Sequence, residues 1–229
     1  MVVMPGTERR DGRSTRWDLH RRERRVTIIE AAIAAIEEFG PDALTAQIAQ
    51  KAGVPRTHVY RHFEGKQALD LAVSRYVSRQ IGESIRAGLQ RGGSARAIIG
   101  GAVDQHLSWV DAHPNLYRFL AQHSYAVAKT GTPAADDAKA ALATELTALL
   151  QRYMEAFGLD TAPAERVIIG VVGMVDSTAA WWLEHRAVSR AELTAQLTAQ
   201  VWLIIQHLGQ QLGLTLGPDD TLPVPSQPV

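Results

Sequence analysis

The chain of 229 residues contains no cysteine. This absence excludes disulfide bonds, thiolate catalysis and cysteine-ligated metal sites, and it is consistent with a reducing compartment. The sequence also lacks a phosphate-binding glycine loop, a Gly-x-Ser-x-Gly nucleophile elbow and a cluster of metal ligands. We therefore expect neither an enzyme with catalytic residues nor a bound cofactor or metal.

Long apolar runs are also scarce. The N-terminus soon becomes charged, so it lacks the apolar core of a signal peptide. The most apolar stretch, Val167 to Leu183, is interrupted by Asp176 and is shorter than the roughly 20 apolar residues of a membrane span. Because 46% of the residues are hydrophobic, the chain can still bury a substantial core. We expect a soluble cytoplasmic protein without a membrane partner.

Charge of neither sign dominates, because 24 Lys and Arg balance 24 Asp and Glu. The distribution is uneven, however, since residues 1–66 carry 12 basic and 9 acidic side chains and the remainder carries 12 and 15. A basic N-terminal portion is typical of a protein that binds nucleic acid there. Eight arginines lie between Arg9 and Arg25, and this segment is either a solvated tail or an arm that contacts DNA.

The stretch from Leu44 to Leu69 predicts two short helices joined by a tight turn. A hydroxyl that can cap a helix stands at Thr45, and apolar residues follow at helical spacing, which predicts a short helix starting there. Gly53 suits the left-handed conformation that ends a helix. Pro55 is pre-set for a first helical turn, so a second helix should span Arg56 to His62.

The second of these helices has one apolar and one polar face. Val59 and Phe63 are four residues apart and should point inward, so the polar side chains around them should point outward. Arginine binds guanine with two hydrogen bonds, hydroxyl and imidazole groups reach bases or phosphates, and lysine holds a phosphate as a point charge. The candidate contacts to double-stranded DNA are Thr45, Gln47, Arg56, Thr57, His58, Tyr60, Arg61, His62 and Lys66.

Three groups of residues in this stretch, Gly53-Val54, Val59-Tyr60-Arg61-His62-Phe63 and Lys66-Gln67-Ala68-Leu69, together resemble the signature of the tetracycline-repressor (TetR) family of transcriptional regulators. The resemblance covers about Arg21 to Val77. It implies an all-α homodimer with an N-terminal three-helix helix-turn-helix DNA-binding domain and a larger C-terminal helical domain that binds a small molecule and dimerises. His58 and Arg61 depart from common family usage, so the preferred operator is not implied.

Two other interpretations of this stretch remain open. The pattern also occurs in ordinary helical proteins, in which His58 and His62 would simply be solvated. Histidines four residues apart can share a zinc ion, but the metalloprotease motif needs glutamate directly after the first histidine, and this chain has Val59 there. A metal site is therefore not expected.

The predicted domain organisation follows from composition and periodicity. Residues 1–20 are charged and aperiodic and should form a disordered basic arm, and the helix-turn-helix domain should occupy residues 21–66. A helical effector-binding and dimerisation domain should follow over residues 67–213, and its first helix should link the two domains. The proline-containing residues 214–229 should form a disordered tail.

The last two predicted helices, about 163–186 and 190–212, are candidates for a dimer interface. Small residues line one side of the first helix and permit close approach, and apolar residues form a stripe along the second. Two such helices per subunit suit a four-helix interface, whereas the alternative is that both stripes are buried within one chain. The candidate interface residues are Gly170, Gly173, Ser177, Ala180, Val201, Ile205 and Leu208.

The second domain also contains an unusual number of aromatic and histidine side chains. Ligand sites in helical domains are mostly apolar with a few polar groups, so these residues could line a site for a hydrophobic or aromatic small-molecule effector. The alternative is that they only fill a core. The candidate lining residues are His106, Trp109, Tyr117, Leu120, His123, Met154, Met174, Thr178 and Trp182.

These features together predict a ligand-responsive transcriptional regulator, and the resemblance to the TetR family implies that it is a repressor. A dimer would place two copies of the second short helix in successive major grooves, about 34–36 Å apart, on a near-palindromic operator. Binding of an effector would shift the linking helix and release the DNA. Two alternatives remain: an effector-independent DNA-binding protein of the same fold, and a helical small-molecule-binding module or enzyme.

Overall fold

The computed structural model describes residues 12–89, 92–130 and 138–222. Within these ranges the chain forms nine α-helices and no strand, with one isolated β-bridge between Ser94 and Thr221. The predicted all-α fold is confirmed. The helices are α1 (Gly12–Phe39), α2 (Thr45–Lys51), α3 (Arg56–His62), α4 (Gly65–Leu89), α5 (Ala95–Ala112), α6 (Pro114–Thr130), α7 (Ala138–Ala156), α8 (Ala164–His185) and α9 (Arg190–Gln211).

The chain divides into two compact units, Met1–Val73 and Ser74–Val229. The described part of the first unit holds α1, α2, α3 and the start of α4, and α1 packs against both α2 and α3. Apolar side chains from all four helices are fully buried, so these short elements share one core. The fully buried residues include Ile36 of α1, Ile48 of α2, Val59 of α3 and Leu69 of α4.

The two predicted short helices are present, but Thr45 does not cap the first of them. Thr45 is the first helical residue of α2 and is buried, and the cap position belongs to Leu44, whose backbone is extended. The N–H of Leu44 donates to Oε1 of Gln47 at 2.7 Å, which satisfies one of the donors that a helix start leaves open. Gly53 has a φ of +64°, as the predicted tight turn requires.

In the second unit, α5 packs along α9 and α8, α7 packs along α8, and α6 contacts α5. One core cluster joins α5, α6, α8 and α9, and a second, smaller cluster contains Met154, Ala164 and Leu208. By length and composition α8 could cross a bilayer, but the core helix of a soluble protein passes the same test. The second unit is thus a helical domain with two separate apolar clusters.

The first helix begins earlier than the sequence indicated. It starts at Gly12, so residues 12–20 of the predicted disordered arm are helical, whereas residues 1–11 lie outside the described residues. The segment lacks apolar periodicity, but the packed half of α1 supplies the costly nucleus from which the helix can extend. Helix extension there therefore needs no buried face.

The predicted disordered tail is also partly ordered, and we name residues 217–222 the C-terminal strap. The N–H of Arg96 donates to the carbonyl of Pro218 at 3.0 Å, and the N–H of Leu222 donates to the carbonyl of Gly93 at 3.1 Å. An ion pair of 3.2 Å joins Arg96 to Asp219. These bonds satisfy backbone groups at the start of α5, which sequence periodicity could not reveal. Residues 223–229 lie outside the described residues.

We expect a chain truncated after Leu214 to be less stable than the full chain by about 1–3 kcal/mol, because two backbone hydrogen bonds contribute about 0.5–1.5 kcal/mol each. Urea unfolding followed by circular dichroism measures this difference. Truncation after Leu222 is the matched control, since it keeps every contact of the strap. Equal stability of the two truncated chains would contradict the expectation.

Candidate DNA-binding surface

The α3 helix presents its polar side chains away from the core of the first unit. Val59 is buried on the inner face and Phe63 is buried directly after the helix, as the spacing predicted. His58 and His62 are partly buried at the margins of the helix. The exposed side chains of α3 are Arg56, Thr57, Tyr60 and Arg61.

Tyr60 belongs to a hydrogen-bonded group that joins α3 to the start of α2. The Arg56 guanidinium donates to the Tyr60 hydroxyl at 3.2 Å and lies 5.6 Å from the ring centroid. The hydrogen bond with the Thr45 hydroxyl, and then that with Arg56, lower the pKa of Tyr60. Thr45 therefore orients a residue of the surface rather than capping a helix, while Tyr60 and Arg56 remain exposed for contact with DNA.

Gln47 and Lys66 are both engaged in contacts within the first unit. The Oε1 of Gln47 accepts the hydrogen bond from Leu44, so its NH₂ group is the part that could donate to DNA. The Lys66 ammonium pairs with the carboxylate of Asp70 one turn later in α4. A phosphate contact by Lys66 would therefore share the ammonium with Asp70.

His62, at the end of α3, lies among cations. Its Nδ1 is buried and has no hydrogen-bond partner among the described residues, and its backbone carbonyl accepts from Nη1 of Arg25 at 2.5 Å. Burial lowers the pKa of His62, and the nearby charges of Arg21, Arg24 and Arg25 lower it further. Both effects disfavour the protonated imidazole in the free protein.

Three arginines of α1 adjoin this surface, and they belong to the segment that the sequence left open as a solvated tail or a DNA-contacting arm. Arg25 lies 4.2 Å above the ring of Phe63 and also bonds the end of α3, and Arg21 and Arg24 are near enough to act on His62. Their spacing of three and four residues, which places side chains on one helical face, was the available signal. Together with α3 they form one basic surface on the first unit.

Residues 84–214 match the family description "Tetracyclin repressor-like, C-terminal domain", which covers more than half of the chain. Residues 28–73 match "Bacterial regulatory proteins, tetR family", and this region contains α2 and α3. The chain belongs to the TetR family. It is therefore a DNA-binding transcriptional regulator with a helix-turn-helix, of which α3 is the second helix. The arginine face of α1 precedes the matched region.

Known relatives agree with this assignment. The HTH-type regulator Rv0472c of Mycobacterium tuberculosis is 29% identical over 82% of this chain and 79% of its own length. The HTH-type transcriptional activator FasR of Mycolicibacterium smegmatis is 27% identical over 73% of this chain and 75% of its own. A TetR-family regulator structure from Streptomyces coelicolor has a TM-score of 0.69 at 23% identity, covering 84% of this chain and 86% of that one, which supports the fold.

In this TetR-family chain, the predicted effector residues do not all lie together. His106 and Tyr117 make an edge-on ring contact of 6.5 Å, and Trp109 packs beside the same core cluster. Trp182 is buried in that cluster, and its Nε1 donates to the carbonyl of Val188 at 2.8 Å, so its polar group is already used. Leu120, Met174 and Thr178 are partly buried, and the side chain of His123 lies outside the described residues.

Met154 lies apart from the aromatic members of the predicted lining. It is buried in the smaller cluster with Ala164 and Leu208, and not with the aromatic group, because α7 packs along α8. Asp176 is a polar residue that the prediction missed, since the hydroxyl of Tyr117 lies 3.0 Å from its Oδ1. No group of three or more His, Asp or Glu that could hold a metal occurs among the residues with described positions.

The predicted dimer residues divide into two sets. Gly170 and Ser177 are exposed, and a β-carbon added at Gly170 or Gly173 would meet open space. Val201 and Leu208, in contrast, are only 5% and 7% exposed, and Ala180 packs against the core of its own chain. The part of the prediction that rested on Val201 and Leu208 is wrong for a physical reason, because the apolar stripe of α9 is buried within one chain: α5 packs along α9, and Leu208 packs with Met154 and Ala164.

Large apolar side chains are nevertheless exposed on the same two helices. Ile169, Trp181 and Leu203 retain 57%, 47% and 60% of their accessible surface. Ile205, the remaining predicted residue, is partly buried. The uncovered apolar surface of the second unit therefore includes Ile169 and Trp181 on α8 and Leu203 on α9.

We expect operator affinity to increase as the pH falls around the ordinary His62 value of 6.5. The pKa of His62 is lowered in the free protein, and an adjacent phosphate would raise it, so binding takes up a proton and is favoured by acid between the two pKa values. Fluorescence anisotropy at several pH values measures the effect. His62→Gln should flatten the pH dependence of operator affinity. An unchanged pH dependence in that variant would contradict its assignment to His62.

Proposed function

We propose that this regulator is a dimeric repressor that binds a near-palindromic operator and is released by a small hydrophobic or aromatic effector. The observation that carries the proposal is the arrangement of α3, which is fixed from behind by Val59 and Phe63 and presents Arg56, Thr57 and Arg61 outward. A helix with exposed arginine and hydroxyl groups is suited to the donor and acceptor pattern of a major groove. The protein would act in the cytoplasm, where bacterial DNA lies.

Exposed apolar residues support the dimer. Burial contributes roughly 25 cal/mol per Å² of apolar surface, so Ile169, Trp181 and Leu203 favour an arrangement in which something covers them. Gly170 and Gly173 lie on the same helix as two of these residues and leave room for a neighbouring backbone to approach closely. A second copy of the chain supplies the same apolar and small residues, as a two-fold interface requires.

The side chains of the second unit support an apolar effector. Many apolar residues of α5, α6, α7 and α8 are only partly buried, including Leu146, Leu149 and Met174, although a closely packed core would bury them. The rings of His106 and Tyr117 and the carboxylate of Asp176 add polar groups beside this surface. A mostly apolar site with a few polar groups is typical of ligand binding.

A second candidate function is DNA binding without an effector. It is favoured by the dense cluster around Trp182, in which the chain fills its own interior. Thermal-shift screening of small apolar and aromatic compounds, followed by addition of each stabilising compound to the operator complex, distinguishes the two. An effector must prefer the state that does not bind DNA, because equal affinity for both states shifts nothing. Stabilising compounds that leave operator affinity unchanged would favour the second candidate.

The experiment that tests DNA reading is selection of bound fragments from a random double-stranded pool at two salt concentrations. We expect a near-palindrome whose half-site centres are about 34–36 Å apart, because two α3 helices of a dimer enter successive major grooves. The sequence preference should persist at the higher salt concentration, since phosphate contacts weaken with salt for every sequence alike. Recovery of no sequence at either salt concentration would refute operator reading.

Dimerisation is tested separately by Leu203→Glu. We expect this charge to shift the protein from a dimer to a monomer of 25.0 kDa, because an unpaired charge in an apolar interface costs about 2–5 kcal/mol. Size-exclusion chromatography with light scattering measures the mass. Thr144→Glu, which adds the same charge at an exposed position of α7, is the control and should remain dimeric. A dimeric Leu203→Glu variant would exclude this face as the interface.

A further inference from the structure

The segment of α1 from residue 20 to residue 27 buries no side chain in the core. Residues 20–27 are all exposed, whereas Ile28 and Ile29 are buried where the helix joins the core. The match to the family's DNA-binding domain begins at residue 28, but α1 begins at Gly12. Residues 12–27 therefore precede the matched region, and we name them the α1 extension; the exposed residues 20–27 contribute little to the core.

The charge of this extension is not explained by helix stability. Residues 12–27 contain six arginines and only two acidic residues, Asp18 and Glu23. The first turn of α1 has no acidic residue, although a helix N-terminus favours negative and disfavours positive side chains. Neighbouring arginines also repel one another. A negatively charged partner would remove both unfavourable effects.

One face of the α1 extension adjoins α3. Arg25 bonds the carbonyl of His62 at 2.5 Å and lies 4.2 Å above Phe63, which fixes α1 against the end of α3. Arg21 and Arg24 are near enough to lower the pKa of His62. The basic surface of α3 thus continues onto α1 within the first unit.

We propose that residues 12–27 are a second DNA-contacting element, which lies along the phosphate backbone beside each half-site and uses Arg21 and Arg24 as phosphate contacts. At about 1.5 Å per residue, the 16 residues extend roughly 24 Å, or about seven base pairs at about 3.4 Å each. The inference rests on the proposed function in that α3 reads the operator. The contact of α1 with phosphates adds affinity and lengthens the footprint on DNA. It adds no base preference, because phosphate contacts position the protein without reading sequence.

The partner is a DNA backbone and not an acidic protein, because the arginine face is continuous with the surface that reads DNA. When α3 occupies a major groove, the end of α3 and the adjoining α1 face lie near the phosphates that border that groove. Arg22 provides an internal comparison. It lies about 160° around the helix from Arg24 at 100° per residue, so it points away from the proposed contact.

The first test compares salt dependence on a duplex of random sequence, which requires no knowledge of the operator. Each phosphate contact contributes about 0.9 to the slope of log affinity against log salt. Because a dimer carries each arginine twice, we expect the slope to fall by about 3.6 in R21Q/R24Q and about 1.8 in R24Q, and to stay unchanged in R22Q. Between 50 and 200 mM salt, the wild type should lose about 150-fold more affinity than R21Q/R24Q. Equal slopes in the wild type and R21Q/R24Q would overturn the proposal.

The second test compares binding to two lengths of the operator duplex. The duplex recovered by selection is compared at full length and after removal of about seven flanking base pairs from each end. We expect the wild type and R22Q to bind the short duplex more weakly, and R21Q/R24Q to bind both lengths equally. An equal effect of trimming on all three proteins would overturn the inference.

These tests separate the inference from the proposed function. Specific operator binding with no effect of R21Q/R24Q refutes the α1 contact and leaves the regulator intact. Absence of a selected sequence refutes operator reading, while the random-duplex slopes still decide whether Arg21 and Arg24 contact phosphates. Circular dichroism controls for folding, because glutamine has a helix propensity close to that of arginine and both positions are exposed.

Discussion

The short length of α3 is the constraint on which the DNA-binding unit depends. A helix of seven residues cannot nucleate and persist alone in water, so tertiary contacts must hold it. Val59 and Phe63 anchor the apolar side of α3 in the core. Arg25 stabilises the end of the helix, because it covers the Phe63 ring and donates to the last carbonyl of α3. The polar face is left rigid and exposed, which lowers the entropy that must be lost when it meets DNA.

Mutual repulsion among cations is a second organising feature of the first unit. Net charge over the whole chain is zero, yet several arginines surround the partly buried imidazole of His62. In the free protein these arginines are solvated, and their charges lower the pKa of His62, as its burial also does. Phosphates would relieve the repulsion, so the same charges that oppose folding favour the complex.

The second unit distributes its apolar surface in a different way. The apolar stripe of α9 could have packed against another subunit, but α5 packs along α9 within the same chain. The contact contributes to the core cluster around Leu107, Trp182 and Leu197. The apolar residues that remain exposed are then those of α8 and one position of α9. Each of these helices thus uses one face to stabilise its own chain and leaves the opposite face available for an interface. This division decides which residues a partner can contact.

The sequence by itself determined the helix-turn-helix, because its determinants are local: Gly53 supplies the left-handed turn, Pro55 starts the next helix, and the four-residue spacing of Val59 and Phe63 sets the inner face. Only the tertiary structure decided which partner covers each apolar stripe. An apolar stripe shows that a face is apolar and not what packs on it. The sequence therefore did not reveal that Val201 and Leu208 are buried within their own chain. The C-terminal strap was likewise decided by tertiary contacts, since its backbone hydrogen bonds to Gly93 and Arg96 do not depend on apolar periodicity.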